Sequence, residues 1–286
     1  MKIGGHCVLY GPEVATDTAA VFSRLKYAGA EGCELGQRFF GVEKRAELTD
    51  ALEDSGMELA GMHANNLKLI DLLHAPEKAE AALMEVGRLV SNFPNKNIIA
   101  TGGCGDLEQI RQTKLKDGAL DPELHDPELV KQMAKTLNEI VLRVKEETGA
   151  QVHYHNHSWE FADQGLIWFA LAEYAPDLTF ALDTGWTAVS GFDPIELMEK
   201  YPGRFHYVHL RDLKKSATPG ELAFTQAHGG FVDLGSGDMD YPRLMRKLAT
   251  VLGEDDWAIV EYELGNFDQN SYTKAISYLR GVRDML

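Results

Sequence analysis

Apolar positions along the chain fall into short unbroken runs that alternate with longer stretches in which they recur every three to four residues. Runs of the first kind predict strands, and stretches of the second kind predict amphipathic helices. A strand is expected over Lys2–Leu9. A helix is expected over Thr16–Tyr27, with Thr18, Val21, Phe22 and Leu25 on one face and Ala28-Gly29 at its end. Strand Gly32–Leu35, helix Val42–Ser55 (stopped by Gly56), strand Met57–His63, helix Glu77–Asn92 (ended ahead of Pro94) and strand Asn97–Thr101 follow. The second half repeats the pattern. A long helix over Asp126–Thr148 carries Pro127 in its first turn, where proline is tolerated. Then come strand Gln151–Asn156, helix Leu166–Tyr174, strand Leu178–Asp183, helix Pro194–Lys200 and strand Phe205–Leu210. Helix Tyr241–Leu252, strand Trp257–Glu263 and helix Ser271–Leu286 close the chain.

Eight strand-then-helix units, with no linker or shift in composition between them, predict an α/β protein. The expected architecture is a single (β/α)8 TIM barrel occupying residues 1–286 as one domain. Two connections, Gly102–Leu124 and Lys214–Asp240, are longer than ordinary loops. Both follow strands, which places them on the barrel face that carries active sites.

Composition narrows the function classes. The 286 residues are 44% hydrophobic and 25% charged, so there is ample material for a core. The net charge of −16 repels phosphate backbones and anionic membranes, so neither nucleic acid nor a membrane is an expected partner. No apolar run reaches the roughly 20 residues of a membrane span, and Met1–His6 lacks the apolar core of a signal peptide. Cys7, Cys33 and Cys104 are widely spaced without a CxxC pair, for which a reducing cytoplasm is the simplest compartment. Oligomeric state is left open, a homo-oligomer among the options.

Candidate chemistry concentrates at the strand ends. Side chains alternate faces along a strand. With Phe180 and Leu182 facing the helices, Asp183 faces the axis; with Val208 and Leu210 outward, Tyr207, His209 and Arg211 point inward. The last strand puts Ala258, Val260 and Tyr262 on one face and Ile259, Glu261 and Glu263 on the other. The fifth strand carries His153, His155 and His157 on one face, with Glu160 just beyond. His6, Glu34 and His63 end the first three strands. Buried carboxylates repel one another unless a cation or a shared proton relieves them. A mixed Glu/Asp/His set therefore points to a divalent metal ion: Mn, Co, Mg, Fe and Zn all remain open, and the lack of cysteine argues against a structural zinc site. Plainer roles stand beside these. His6 and His153 read as satisfied structural histidines, Glu263 as a solvent-facing acid, and Arg211 as an ion-pair partner of Asp212 or Glu261. Trp159 and Trp186 read as packing aromatics, and Gly235-Ser236-Gly237 as a turn.

Three motifs carry a resemblance: Leu182-Asp183-Thr184-Gly185, His209-Leu210-Arg211-Asp212, and Val260-Glu261 after an aromatic-led strand. The stretch Asp233-Leu234-Gly235-Ser236-Gly237-Asp238-Met239-Asp240 adds a fourth. Together they make the chain, across all eight units, similar to the xylose isomerase-like TIM-barrel superfamily. That group includes sugar isomerases, ketose 3-epimerases, inosose dehydratases, keto-glycoside lyases and endonuclease IV-type DNA repair enzymes. The resemblance implies metal ligation by Asp183, His209 and Glu261. The family's fourth ligand is a glutamate ending strand five, where this chain has His155. The segment is similar instead to a His-Asn-His-x-x-Glu-Phe subgroup, which implies Glu160 as the fourth ligand with His155 as the competing choice.

The implied reaction is metal-dependent isomerisation or epimerisation of a sugar, cyclitol or keto-sugar by proton abstraction next to a carbonyl. Dehydration or lyase chemistry through the same enediolate is the alternative, and a non-catalytic sugar-binding barrel or a DNA repair endonuclease stands further off. Glu160, Glu261 and His155 are the acid–base candidates, with Glu263 as another. His63, Trp186, Arg211 and Glu263 are expected to contact substrate, with Glu34 and His6 at the rim. Where the family often has a histidine after Asp-x-Gly, this chain has Trp186, on which a sugar ring could stack.

Overall fold

A computed structural model describes residues 1–65, 67–103, 105, 120–214, 230–263 and 267–286. Eight parallel strands close into a barrel in chain order. They are β1 (Lys2–His6), β2 (Gly32–Gly36), β3 (Glu58–Ala64), β4 (Asn97–Ala100), β5 (Gln151–His155), β6 (Thr179–Asp183), β7 (Phe205–Leu210) and β8 (Trp257–Val260). The β8–β1 pairing seals the circle. Around it run α1 (Thr18–Ala28), α2 (Arg45–Ser55), α3 (Pro76–Val90), α4 (Pro127–Thr148), α5 (Ala162–Tyr174), α6 (Pro194–Lys200), α7 (Tyr241–Val251) and α8 (Gln269–Arg283). This is the (β/α)8 architecture that the sequence predicts. No described helix is long and apolar enough to cross a membrane.

Local chemistry sets the helix ends. Asp126 opens α4 by accepting the Glu128 and Leu129 N–H groups, with Pro127 in the first turn, and Gly149 at φ 71° closes it. A reciprocal capping box between Asp268 and Ser271 opens α8. In α5, Asp163, Gln164 and Gly165 have left-handed dihedrals, so the right-handed helix starts at Leu166, where the apolar periodicity begins.

Differences from the sequence reading that bear on the site lie at the first, sixth and last strands. The first strand stops at His6 because the His6 Nδ1 accepts the Val8 N–H at 2.9 Å and turns the chain into a 3-10 helix, Cys7–Tyr10. The last strand stops at Val260. Directly after β6 an unforeseen short helix, Thr184–Val189, begins on the Asp183 carboxylate, which accepts the Trp186 N–H at 2.7 Å. Of the two long connections, residues 104, 106–119 and 215–229 lie outside the described residues. The described ends include the 3-10 turn Pro122–His125 and Phe231–Val232, which pairs antiparallel with Asp212–Leu213.

The alternation of strand side chains produces two cores. Outward residues such as Ile3, Leu35, Tyr154, Phe180, Leu182, Val208 and Val260 pack into the large apolar layer under the helices. Inside the barrel Ala60, Ile99, Ala181, Tyr207, Trp257 and Ile259 form a separate apolar plug. Trp257 fits only because Gly32 is opposite: a Cβ at Gly32 would lie 2.5 Å from the Trp257 ring and 2.8 Å from the Glu58 carbonyl oxygen. Above the plug the inward residues are polar.

Gly32→Ala should therefore cost about 1–3 kcal/mol of stability, because backbone as well as the indole would have to move. Gly281→Ala, on α8 with nothing within 4 Å, should gain up to about 1 kcal/mol. Urea midpoints of the two variants test this; equal midpoints would mean that the plug is loosely packed.

Candidate active site

The polar layer is assembled by register. Asp183 lies opposite His209 across β6 and β7, and His6 lies opposite Glu34 across β1 and β2. Every one of these side chains is buried. The His209 Nε2 is 2.7 Å from Glu34 Oε2, and its Nδ1 is 2.7 Å from Glu261 Oε2. Arg211, buried just past β7, donates from Nε to Asp183 Oδ2 at 2.8 Å and from a terminal nitrogen to Glu261 Oε1 at 2.7 Å. Its contact with Glu263 is longer, at 3.5 Å. Arg211 is thus the ion-pair partner of Asp183 and Glu261, and among the partners expected for it Asp212 is not one.

Asp212 has another task that its motif did not reveal. Its carboxylate accepts the N–H groups of Leu213, Gly235, Gly237 and Met239, at 2.8 to 3.3 Å, and so ties the glycine-rich turn to the end of β7.

Burial and neighbouring charge act on these groups in different directions. Burial disfavours a charged His209, but the Glu34 and Glu261 carboxylates outweigh it and hold the imidazolium up to about 10. Against the same burial, His209 and His6 keep Glu34 well below the usual carboxylate range, and Arg211 and His209 do so for Glu261. Burial wins at Asp183, which is pushed up in spite of Arg211. Burial also keeps His155 well below 6.5, with the charge on His209 adding to the effect, so it is a neutral imidazole at pH 7.

His155, Asp183, His209 and Glu261 each offer a ligand atom, and all four atoms lie within 4.8 Å of one another. Opposed ligands around a cation with bonds of about 2.1 Å stand about 4.2 Å apart, so the set fits a divalent ion after a small contraction. The buried Nδ1 of His155 has no hydrogen-bond partner among the described residues, which is what a ligand-ready nitrogen would show. Glu160, expected as the fourth ligand, is outside this set. It lies behind β5 on the side of the outward-facing Tyr154, where its carboxylate accepts the Tyr154 hydroxyl at 2.9 Å and the His157 N–H at 2.8 Å. Burial outweighs these hydrogen bonds and raises it to about 8. His153, deep in β5, is satisfied by Asn97 and Thr179.

A cavity of about 910 Å³ opens over the centre, with His6, His63, His155, His157, Glu261 and Glu263 in its lining. That is room for a small polar ligand. Of the expected substrate contacts, His63 and Glu263 face it, whereas Arg211 lies beneath. Trp186 does not line the cavity. It sits on the new short helix, fully buried, with its ring 5.0 Å from that of Phe231 and 5.9 Å from the Arg211 guanidinium. The aromatic on the cavity wall is Trp159, stacked face to face on His157 at 4.2 Å and donating its indole N–H to the Gly102 carbonyl. The sequence signal for it was its place just past β5.

The fold and this constellation define a β/α barrel with an acid–histidine centre at the C-terminal mouth. The chain belongs to the xylose isomerase-like TIM barrel family, whose model matches residues 22–282. It is 28% identical over 262 residues to the rhizopine catabolism protein MocC of Rhizobium meliloti, covering 88% of this chain and 77% of that one. It is 26% identical over 270 residues to an inosose dehydratase of Clostridium tetani, covering 92% and 87%. A xylose isomerase-like TIM barrel protein from Mycobacterium smegmatis, solved in complex with magnesium, superposes with a TM-score of 0.74 at 14% identity, covering 99% of this chain and 97% of that one.

Removing the guanidinium should expose the strain that it relieves. Arg211→Met leaves Asp183 and Glu261 buried side by side, which should cost about 3–5 kcal/mol in cation-free buffer. Saturating Mn²⁺ should then stabilise the variant more than it stabilises the parent. Thermal melts with and without the ion measure both effects; equal melting points in cation-free buffer would mean that the ion pair does not hold the mouth together.

Proposed function

We propose that the chain is a divalent-metal-dependent enzyme that removes the proton next to the carbonyl of a keto-sugar or cyclitol ketone. The observation that carries this reading is the convergence of four buried ligand atoms, from β5, β6, β7 and the residue after β8, under a polar cavity. His155, Asp183, His209 and Glu261 would hold the ion, whose bound charge would polarise the substrate carbonyl and so acidify the neighbouring C–H. Glu261 and His155 both reach the cavity, and Glu261, whose second oxygen would remain free of the ion, is the group to take the proton. His63 and Glu263 face substrate hydroxyls, and the stacked His157–Trp159 pair offers a ring-sized apolar wall in the place first expected of Trp186. Glu160 serves this site from behind, by fixing the His157 backbone.

Among the outcomes of that proton abstraction, loss of the β-hydroxyl as water is favoured over isomerisation or epimerisation. Epimerisation calls for a proton donor on each face of the substrate carbon. Here the strand-five position holds an imidazole kept neutral by burial and by His209, and an imidazole that ligates the ion through one nitrogen and carries its proton on the other would have no lone pair left for a second proton. The name of the Clostridium tetani relative supports the same outcome.

Incubation of the Mn²⁺-loaded protein with an inosose in D₂O tests the proposal. Ring-proton exchange and a dehydrated product are expected. Exchange with inverted stereochemistry and no loss of water would move the assignment to epimerase, and no exchange with this or related keto-sugars would end it. Asp183→Asn should lose both the ion and turnover while remaining folded.

Acidity should oppose the ion. His209 is held protonated up to about 10, so a cation on its Nδ1 has to displace that proton. Apparent affinity should fall by up to about tenfold for each unit that the pH drops below neutrality, with a proton released on binding. Calorimetric titrations in buffers of different ionisation heat would show it; affinity independent of pH would remove His209 from the ligand set.

A further inference from the structure

Glu34 is a fully buried site carboxylate outside the ion-binding set, and four side chains converge on it. Its Oε1 accepts from His6 Nε2 at 3.2 Å and from His63 Nδ1 at 3.0 Å. Its Oε2 accepts from the Tyr207 hydroxyl at 2.8 Å and from His209 Nε2 at 2.7 Å. His6, Glu34 and His63 offer atoms within 4.8 Å of one another and so look like a second cation site. We propose instead that Glu34 is a positioning residue, which fixes His209 as an Nδ1 ligand of a single cation, and that the His6–Glu34–His63 group takes no cation of its own. The proposal rests on the metal-centre reading above.

The proton positions follow from the partners. A carboxylate has about four lone-pair sites, and all four on Glu34 are filled, which leaves none for a metal ion. The His6 Nδ1 accepts the Val8 N–H at 2.9 Å and so carries no proton. The His6 proton is therefore on Nε2, aimed at Glu34. Coordination through Nε2 would require a proton on Nδ1, where it would meet the Val8 N–H head on. In His63 both nitrogens are engaged, Nδ1 on Glu34 and Nε2 at 2.7 Å on the Thr101 hydroxyl.

His209 differs from both. Glu34 can only accept, so it claims the Nε2–H and leaves Nδ1 facing the oxygen of Glu261. A carboxylate behind a ligating histidine fixes the tautomer and ring orientation and makes the nitrogen a stronger donor; loss of such a partner typically weakens metal binding by about 10–100-fold.

The test uses the full chain. Mn²⁺ affinity is measured by chelator competition, stoichiometry at saturation by elemental analysis, and ligand geometry by the visible spectrum of the Co²⁺-loaded protein. The parent should bind one ion. Glu34→Gln should bind it about 10–100-fold more weakly, with an altered cobalt spectrum. Tyr207→Phe, which removes a different donor from the same carboxylate, should retain the parent affinity and spectrum. If Glu34→Gln does not fold, His6→Gln decides the second half: stoichiometry should stay at one. Two ions in the parent with one lost in His6→Gln, a Glu34→Gln protein with parental affinity and spectrum, or an equal loss in Tyr207→Phe would each overturn the proposal. An ion bound equally well without Glu34 would remove only the positioning role, whereas no ion in the parent would remove the metal centre with it.

Discussion

Three carboxylates, Glu34, Asp183 and Glu261, are buried at the top of one closed barrel, and the rest of the mouth is organised by what their burial costs. An isolated buried charge is expensive by many kcal/mol. Each of the three is met by a different device. Glu34 is surrounded by four hydrogen-bond donors from three other strands. Glu261 is clamped between a histidine and an arginine. Asp183 has the Arg211 guanidinium on one oxygen and the first turn of a helix on the other, and is still the least compensated. The histidine-rich composition of the strand ends is thus an electrostatic requirement before it is a chemical one.

The barrel below makes such a layer affordable. Trp257, Ile259, Ile99 and Tyr207 close the interior under the charged groups, so water cannot reach them from the far side and each donor keeps its geometry. This depends on backbone with no side chain: Gly4 and Gly32 leave the width into which Ile259 and Trp257 project. The Tyr207 hydroxyl links the two layers, since its ring belongs to the plug and its oxygen donates to Glu34.

What could be read from the sequence follows the reach of one rule. Period-two alternation is strict within a strand, so Asp183, His209 and Glu261 could be placed on the axis from the residues flanking them, and the structure brings them together. The rule still holds for Glu261, one residue past β8, and fails further out. Glu160 lies five residues beyond the end of β5, and the turn between carries it behind the strand to Tyr154, while His155, still inside β5, takes the inward position. Trp186 went the same way. The Asp183 carboxylate starts a short helix that rotates the indole into a buried pocket against Phe231, and nothing in the local pattern separates that helix from a loop. Glu34 was expected at the rim, whereas it is fully buried on the barrel axis. Its four donors were not legible, because Tyr207 and His209 stand 173 and 175 residues away along the chain.

Charge balance gives the strongest reason to read this mouth as a seat for a divalent ion. Without one, Arg211 and a protonated His209 supply two positive charges against three carboxylates, and the deficit falls on Asp183, whose carboxyl is pushed upward by burial. A divalent ion that displaces the proton of His209 leaves that ring neutral. Together with Arg211, the ion would then supply three positive charges, equal to the three acids. A histidine instead of an acid at position 155 belongs to the same balance. A fourth buried acid at that position would again leave the site one charge short, in the presence of a guanidinium that is already fully engaged. The neutral imidazole of His155 would complete the proposed ligand set without adding to the negative charge, so that histidine and the buried arginine beneath the cavity are compatible parts of one electrostatic solution.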